Sequence, residues 1–446
     1  MAGQRDFKVI VGLGYTGLSC ARFLGRQGID FAVTDNREQP PQKDVFLREF
    51  PHIPLVTGQF CGTLLESATE IILSPGVSLQ EPAIARQVAQ HKSVVGDIEL
   101  LARMIKKPLL GITGSNGKTT VTTLLGLMLQ EAGLSGCVCG NIGKPVLDCV
   151  ESSGIDYYVV ELSSFQLETT TSLAPAVATV LNVTPDHMDR YSTYADYLRA
   201  KQRIYAHCQH PVINADEPAI WRDLTWSQPP ITFGLNEKNT ADFSVQKRRN
   251  RTYLTYQHEP LMATDELTLN ASHHWKNALA ALAMGQAIAL PMEKMLNVLR
   301  HFQGLPHRCQ WVRRYREVDW YNDSKGTNIG ATQEALISLG RASRGKIVLI
   351  AGGLSKGADF SDLKQPVAAY VRHIILIGRD APILEATFKG ITAMTHVSSL
   401  EKAVDLAAQL AEFNDTVLFS PACASFDMFN NFEHRGEVFM KAVKAL

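Results

Sequence analysis

The sequence predicts an α/β fold of three successive α/β domains: a Rossmann-like N-terminal domain, a central phosphate-loop domain with a parallel sheet, and a Rossmann-like C-terminal domain. Three observations predict it. Short apolar runs alternate with stretches of helical spacing along the 446 residues, the pattern of parallel βαβ units. Glycine-rich turns stand at two strand-to-helix junctions, Gly12 to Gly17 and Gly114 to Gly117. Polar residues then gather just after apolar runs, where open parallel sheets bind ligands.

In the first stretch, Phe7 to Val11 reads as a strand, Gly12 to Gly17 as a turn, Leu18 to Gln27 as a helix and Phe31 to Thr34 as a second strand ending at Asp35. Further strand-like runs lie at Ile71 to Leu73 and near Val94-Val95, and Gly96-Asp97 with Lys106-Lys107-Pro108 marks a change of domain. The second unit opens with a strand, Pro108 to Thr113, a glycine loop and a helix, Thr119 to Ala132. Tyr157 to Val160 and Val177 to Val183 suit central parallel strands. The polar, alternating stretch from Trp226 to Leu269 reads as edge strands, and Ala278 to Leu290 as a buried helix. After Gly304-Leu305-Pro306 the third unit shows strands near Val318 to Tyr321, Ile347 to Ala351, His373 to Ile377 and Thr416 to Phe419. The expected domains are 1–96, 97–303 and 304–446.

Composition narrows the function. Hydrophobic residues make up 45% and charged residues 20%, enough apolar material for real cores. Lys+Arg and Asp+Glu both number 44, so no basic excess points to nucleic acid. No apolar run approaches the roughly 18 residues that span a bilayer, so no membrane insertion is expected. The N-terminus lacks a basic-then-apolar leader, and the eight cysteines form no CxxC pair, as reduced thiols in a cytoplasmic protein would.

Gly12-x-Gly14-x-x-Gly17 with Asp35 is a dinucleotide fingerprint. Its glycines let backbone approach a diphosphate at a helix N-terminus, and the acid can accept from a ribose or a base. NAD, another nucleotide-diphosphate conjugate, and a tight turn without ligand all fit it. The second loop, Gly114-Ser115-Asn116-Gly117-Lys118-Thr119-Thr120, is a phosphate-loop variant, because Ile112 stands where the strict pattern has its first glycine. Backbone N–H groups there can cradle phosphates, Lys118 can reach the β- and γ-oxygens, and the Thr119 hydroxyl can ligate Mg²⁺. Glu161 and His187 follow apolar runs and are candidate Mg²⁺ ligands beside that loop. Arg308, Asp323 and Lys325 lie near another strand end, and Ser420 to Asp427 is a small-residue turn in which Cys423 reads as a packed side chain.

Together these segments resemble the Mur ligases over nearly the whole chain. The resemblance rests on Gly12 to Gly17, Ser74-Pro75-Gly76-Val77, Gly114 to Thr120, Gly140-Asn141-Ile142-Gly143, Glu161 to Glu168, Asn182 to Arg190 and Lys201. It continues in Leu305 to Arg308, Asn322 to Asn328, Ser420 to Ser425 and Asn431 to Gly436. Ser163 to Glu168, Asn322 to Lys325 and Pro421 to Ser425 look specific to the D-glutamate-adding branch.

The resemblance implies an ATP-dependent ligase using UDP-N-acetylmuramoyl-L-alanine and D-glutamate, with ATP and two Mg²⁺, working as a monomer in the cytoplasm. The first fingerprint would then hold UDP, through Gly14, Tyr15, Thr16, Asp35, Asn36, Ser74, Gly76, Asn141 and His187. Lys201 would be carbamylated and, with Thr119, Glu161 and His187, would serve the metal. Asn277, Arg308 and Asp323 would hold adenine and ribose, with Lys325 near the phosphates. Thr327, Lys356, Ser425 and Phe432 would receive D-glutamate. Where the family pattern commonly reads His-Asn, this chain has His273-His274. Closure of the third domain on the second is expected to assemble the site.

Overall fold

The computed structural model describes residues 6–150, 153–236, 240–268, 272–355 and 357–446, leaving aside the His273 side chain. Among the described residues, three sheets of five, nine and six strands form, one in each of three α/β domains. By contact the chain groups into two compact units. The first comprises Met1–Asn182, Ala195–Ala263 and Asn277–Arg300; the second comprises Val183–Tyr194, Thr264–Lys276 and His301–Leu446.

The first unit contains two sheets. In one, β1 (Phe7–Val11), β2 (Asp30–Asp35), β3 (Leu55–Thr57), β4 (Glu70–Leu73) and β5 (Ser93–Val95) run parallel in the order β3-β2-β1-β4-β5. Val9, Ile10 and Val11 of β1 are wholly buried, as a strand covered on both faces requires. The helix after β1 spans Tyr15–Arg26 with Gly14 as its N-cap, so Tyr15, Thr16 and Gly17, expected in the turn, form its first turn. Gly17 cannot carry a side chain, because a Cβ there would overlap the Gly12 carbonyl.

The other sheet holds β6 (Leu109–Thr113), β7 (Gly136–Gly140), β8 (Tyr157–Glu161), β9 (Val177–Val180), β10 (His210–Asn214), β11 (Ile231–Phe233), β12 (Phe243–Arg248), β13 (Arg251–Tyr256) and β14 (Glu259–Ala263). Their order is β14-β13-β12-β11-β10-β9-β6-β8-β7. Pairing is parallel from β7 to β12 and antiparallel only through β12-β13-β14, which makes the Trp226 to Leu269 stretch the expected edge. The run Val177 to Val183 is a shorter strand than expected, because Asn182 leaves the ladder to serve the glycine loop. The buried helix spans Ser272–Ala287, with Ala278 to Met284 fully enclosed.

In the second unit, β15 (Gln310–Tyr315), β16 (Val318–Asn322), β17 (Ile347–Gly352), β18 (Val371–Ile377), β19 (Ala393–His396) and β20 (Thr416–Phe419) take the order β15-β16-β20-β17-β18-β19. Only β15 pairs antiparallel. Its charged Trp-Val-Arg-Arg run conceals it in the sequence, as suits an edge strand. Apolar layers cover both faces: Leu349, Leu376 and Leu418 on one, Val348, Ile350 and Phe419 on the other. No helix among the described residues is long and apolar enough to cross a membrane.

Candidate active site

At the C-terminal ends of β1, β2 and β4 the first unit opens a cleft of about 850 Å³. Gly14, Tyr15, Thr16, Asp35, Asn36, Ser74, Gly76 and Asn141 all line it, the topological switch point where parallel sheets bind ligands. Asp35 is buried and already engaged. It accepts from the Leu13 N–H at 2.7 Å and from the Arg37 backbone and guanidinium at 2.6 to 2.9 Å. Arg37 thus lies on the cleft wall as a residue the sequence reading missed; its signal was a base two positions after the fingerprint acid. With Arg37 and the Leu13 amide as donors, the Asp35 carboxyl sits below its usual range despite burial.

The phosphate loop follows β6. Gly114 and Gly117 take φ of +151° and +82°, conformations glycine adopts without a Cβ penalty. The helix begins at Lys118, so Thr119 and Thr120 stand in its first turn, at the positive end of the helix dipole, which favours anions. Asn182 braces the loop: its Oδ1 accepts from the Asn116 N–H at 2.8 Å and its Nδ2 donates to the Asn116 carbonyl at 3.1 Å. The Ser115 N–H bonds the Asn182 carbonyl, and Ser115 Oγ meets Tyr197 Oη at 3.1 Å. Asn277 packs on the loop, since a Cβ on Gly117 would collide with its Oδ1.

Two ammonium groups converge on one carbonyl here. Lys118 Nζ donates to the Gly114 oxygen at 2.8 Å and Lys201 Nζ to the same oxygen at 3.0 Å. Lys201 is 2% exposed and lies 4.6 Å from the centre of the Tyr197 ring. Tyr197 precedes Lys201 by one helical turn, a spacing that could have announced the pair. Glu161 closes β8 beside Ile112 of β6. Its Oε1 accepts from Asn141 Nδ2 at 2.8 Å, while its Oε2 is buried with no hydrogen-bond partner. Buried carboxylate oxygens are rarely left so.

In the second unit, Asp323 follows β16 and is buried. Its carboxylate accepts from Ser420 Oγ at 2.7 Å and the Cys309 N–H at 3.1 Å. Burial pushes its pKa up to about 6 against the pull of those bonds and of the Arg308 charge. Lys325 Nζ stands 3.7 Å above the Phe432 ring, a cation–π contact. Ser425 is buried beside the pairing of Leu354 with Ala424. Cys423 is packed in the core, as expected.

His187 and Thr327 line a separate pocket of about 330 Å³ within this unit, together with Asp186, Asn328 and Ala422. Asn328 Nδ2 donates to Asp186 Oδ2 at 3.2 Å. His187 and Ala422 both hold left-handed backbones, φ +57° and +56°, strain that concentrates at functional sites. Lys356 lies outside the described residues.

Sequence comparison agrees with this architecture. Residues 6–96 match the Mur ligase MurD-like N-terminal domain, 112–285 the Mur ligase middle domain, and 307–423 the Mur ligase glutamate ligase domain. A Coxiella burnetii protein named UDP-N-acetylmuramoylalanine–D-glutamate ligase is 59% identical over 443 residues, 99% of this chain and 100% of that protein. A Legionella pneumophila protein of the same name is 46% identical over 98% of this chain and 99% of its own. Among solved structures, the UDP-N-acetylmuramate-alanine ligase of Thermotoga maritima shares the fold, with a TM-score of 0.62 at 17% identity, covering 98% of this chain and 99% of that one. Fold and clefts together define a three-domain α/β protein with glycine turns at two strand-to-helix junctions. The chain belongs to the Mur ligase family, within its MurD-like group.

Proposed function

We propose that this chain is an ATP-dependent ligase that joins D-glutamate to UDP-N-acetylmuramoyl-L-alanine, releasing ADP and phosphate. One observation carries the reading. Asn141 lines the nucleotide cleft and donates to Glu161, whose other oxygen is buried and unpartnered beside the phosphate-loop strand. A substrate held in the cleft and a triphosphate held on the loop would therefore meet at this pair.

The donors near the loop, a carboxylate and the Thr119 hydroxyl, suit a hard cation with oxygen ligands. Mg²⁺ would be held by Thr119 and Glu161, with carbamylated Lys201 serving a second ion, and would neutralise charge on the phosphates. The substrate carboxylate attacks the γ-phosphorus, giving an acyl phosphate and ADP. The amine of D-glutamate then attacks the acyl carbon, phosphate departs and the amine loses a proton. Lys118, leaving the Gly114 carbonyl, would stabilise the transferring phosphoryl group. Carbamylation of Lys201 would replace one of two neighbouring cations by an anion, turning a like-charged pair into an ion pair while keeping one N–H for Gly114.

Asn277, Arg308, Asp323 and Lys325 are proposed for ATP, and Thr327, Lys356, Ser425 and Phe432 for D-glutamate. We take 1–96, 97–303 and 304–446 as the substrate, ATP and amino-acid domains of a cytoplasmic monomer. The test is phosphate release measured with UDP-N-acetylmuramoyl-L-alanine, MgATP and a panel of amino acids. D-Glutamate should be selected; release that ignores the amino acid, or prefers another, overturns the reading. For Lys201, Lys201→Ala should lose most activity and recover part of it with added formate or acetate, whereas full activity without them would refute the carbamate.

A further inference from the structure

Three of the eight cysteines, Cys137, Cys139 and Cys149, follow no familiar metal-ligand spacing. The fold nevertheless gathers them. Cys137 and Cys139 lie two apart on β7, the edge strand of the nine-stranded sheet, so their side chains share a face. The chain then loops round: Lys144 forms a parallel bridge with Cys139, and the 3₁₀ turn Val146–Asp148 delivers Cys149. The three Sγ atoms all lie within 4.8 Å of one another. Cys139 and Cys149 are buried, while Cys137 is half-buried and gives the cluster a side facing solvent.

Buried thiols often pack singly as small hydrophobes, but here three sulfurs from two segments of the chain converge within 4.8 Å of one another, close enough for one ion to reach all three.

We propose that Cys137, Cys139 and Cys149 form an all-sulfur binding site for one thiophilic d¹⁰ cation, Cu(I) or Zn(II). With metal–sulfur bonds of about 2.3 Å, three sulfurs in a trigonal arrangement stand about 4 Å apart. The present separations need less than about 1 Å of closure, within reach of small side-chain rotations. Thiolates select soft cations, whereas the oxygen donors at Glu161 select Mg²⁺, so the two sites do not compete. On binding, three metal–sulfur bonds form, the remaining S–H bonds break, the protons pass to solvent, and nothing is oxidised or reduced. Zn(II) would complete its shell with water on the open side of Cys137. Gly140, Asn141, Gly143 and Pro145, between the ligands in sequence, line the nucleotide cleft, so the cation would staple the base of that wall.

The experiment uses the full chain, reduced with a phosphine and kept without oxygen. Zn(II) is titrated against a chromophoric chelator, and Cu(I) is delivered from its bathocuproine disulfonate complex. One equivalent of at least one cation should bind, with X-ray absorption showing sulfur neighbours at about 2.3 Å. Alkylation mapped by mass spectrometry should slow more than tenfold at Cys137 and stay unchanged at Cys61 and Cys208. Cys137→Ser, whose fold is checked by circular dichroism, should weaken binding at least tenfold, and Cys61→Ser should not. Failure of both cations to bind, or binding that survives Cys137→Ser with Cys137 unprotected in the parent, overturns the proposal.

Discussion

The two glycine turns of the first unit, after β1 and after β6, both launch helices from buried parallel strands. Their electrostatics differ. At the first, the acid is finished: Asp35 is clamped by the Leu13 amide and by Arg37, and shape is left to recognise the ligand. At the second, two ammonium groups lean on one carbonyl, and the nearby carboxylate keeps a buried oxygen without a partner. The first turn is a built cradle. The second is poised for charge that a ligand brings; under the proposed function the first would hold the substrate and the second would activate it.

The largest effect is expected at Lys118. Lys118→Ala should lower kcat about a thousandfold, the scale of losing a preorganised charge at the transferring group. Calorimetry should find UDP-substrate affinity unchanged. If that affinity falls in parallel, the two turns do not divide the work.

Glu161→Gln should cost roughly a hundredfold in kcat and raise the Mg²⁺ needed for half-maximal rate. Thermal unfolding should show no loss of stability, because Oε2 makes no hydrogen bond to lose and a glutamine oxygen can still accept from Asn141. A marked fall in Tm would mean that Glu161 is structural.

Asp323 sharpens this contrast as a buried strand-end acid that is fully partnered. Its folded pKa, raised to about 6 from an ordinary 3.8, favours the protonated form. Its contribution to stability is therefore complete below pH 3.8 and lost as pH rises through 6. Asp323→Asn should remove that slope, about 1.4 kcal/mol per pH unit between pH 4 and 6, in urea unfolding followed across pH. An unchanged slope would refute the assignment.

The smallest effect is expected at the finished cradle. Asp35→Asn should raise KM for the UDP substrate about tenfold and leave kcat within twofold, since a clamped acid supports binding without entering the reaction. A kcat loss larger than the KM change would place Asp35 in the chemistry.

The sequence disclosed much of this because its main signals are local. An apolar run, a glycine turn and a helical period are contiguous, so three α/β units and both turns could be read directly. Eight of the nine residues assigned to the UDP cleft line one cavity; His187 lines another, in the second unit. What escaped depends on returns of the chain. Arg37 gave a weak signal, Asn182 bracing Asn116 required the register of β9 beside β6, and the sulfur cluster required a loop after Asn141 that brings Lys144 beside Cys139 and that no spacing rule encodes. β15 escaped because edge strands carry charge where a central strand carries valine.

Membership of the two units has a consequence for the order of synthesis. Val183–Tyr194 belongs with the second unit, yet the chain returns to the first until Ala263. The ribosome therefore releases this twelve-residue piece, 183–194, more than a hundred residues before the strands it joins begin at 310. At ordinary elongation rates that is a wait on the order of 10 s. The second unit cannot mature until nearly the whole chain has emerged, and an excised 301–446 fragment would lack His187 and one wall of its own pocket.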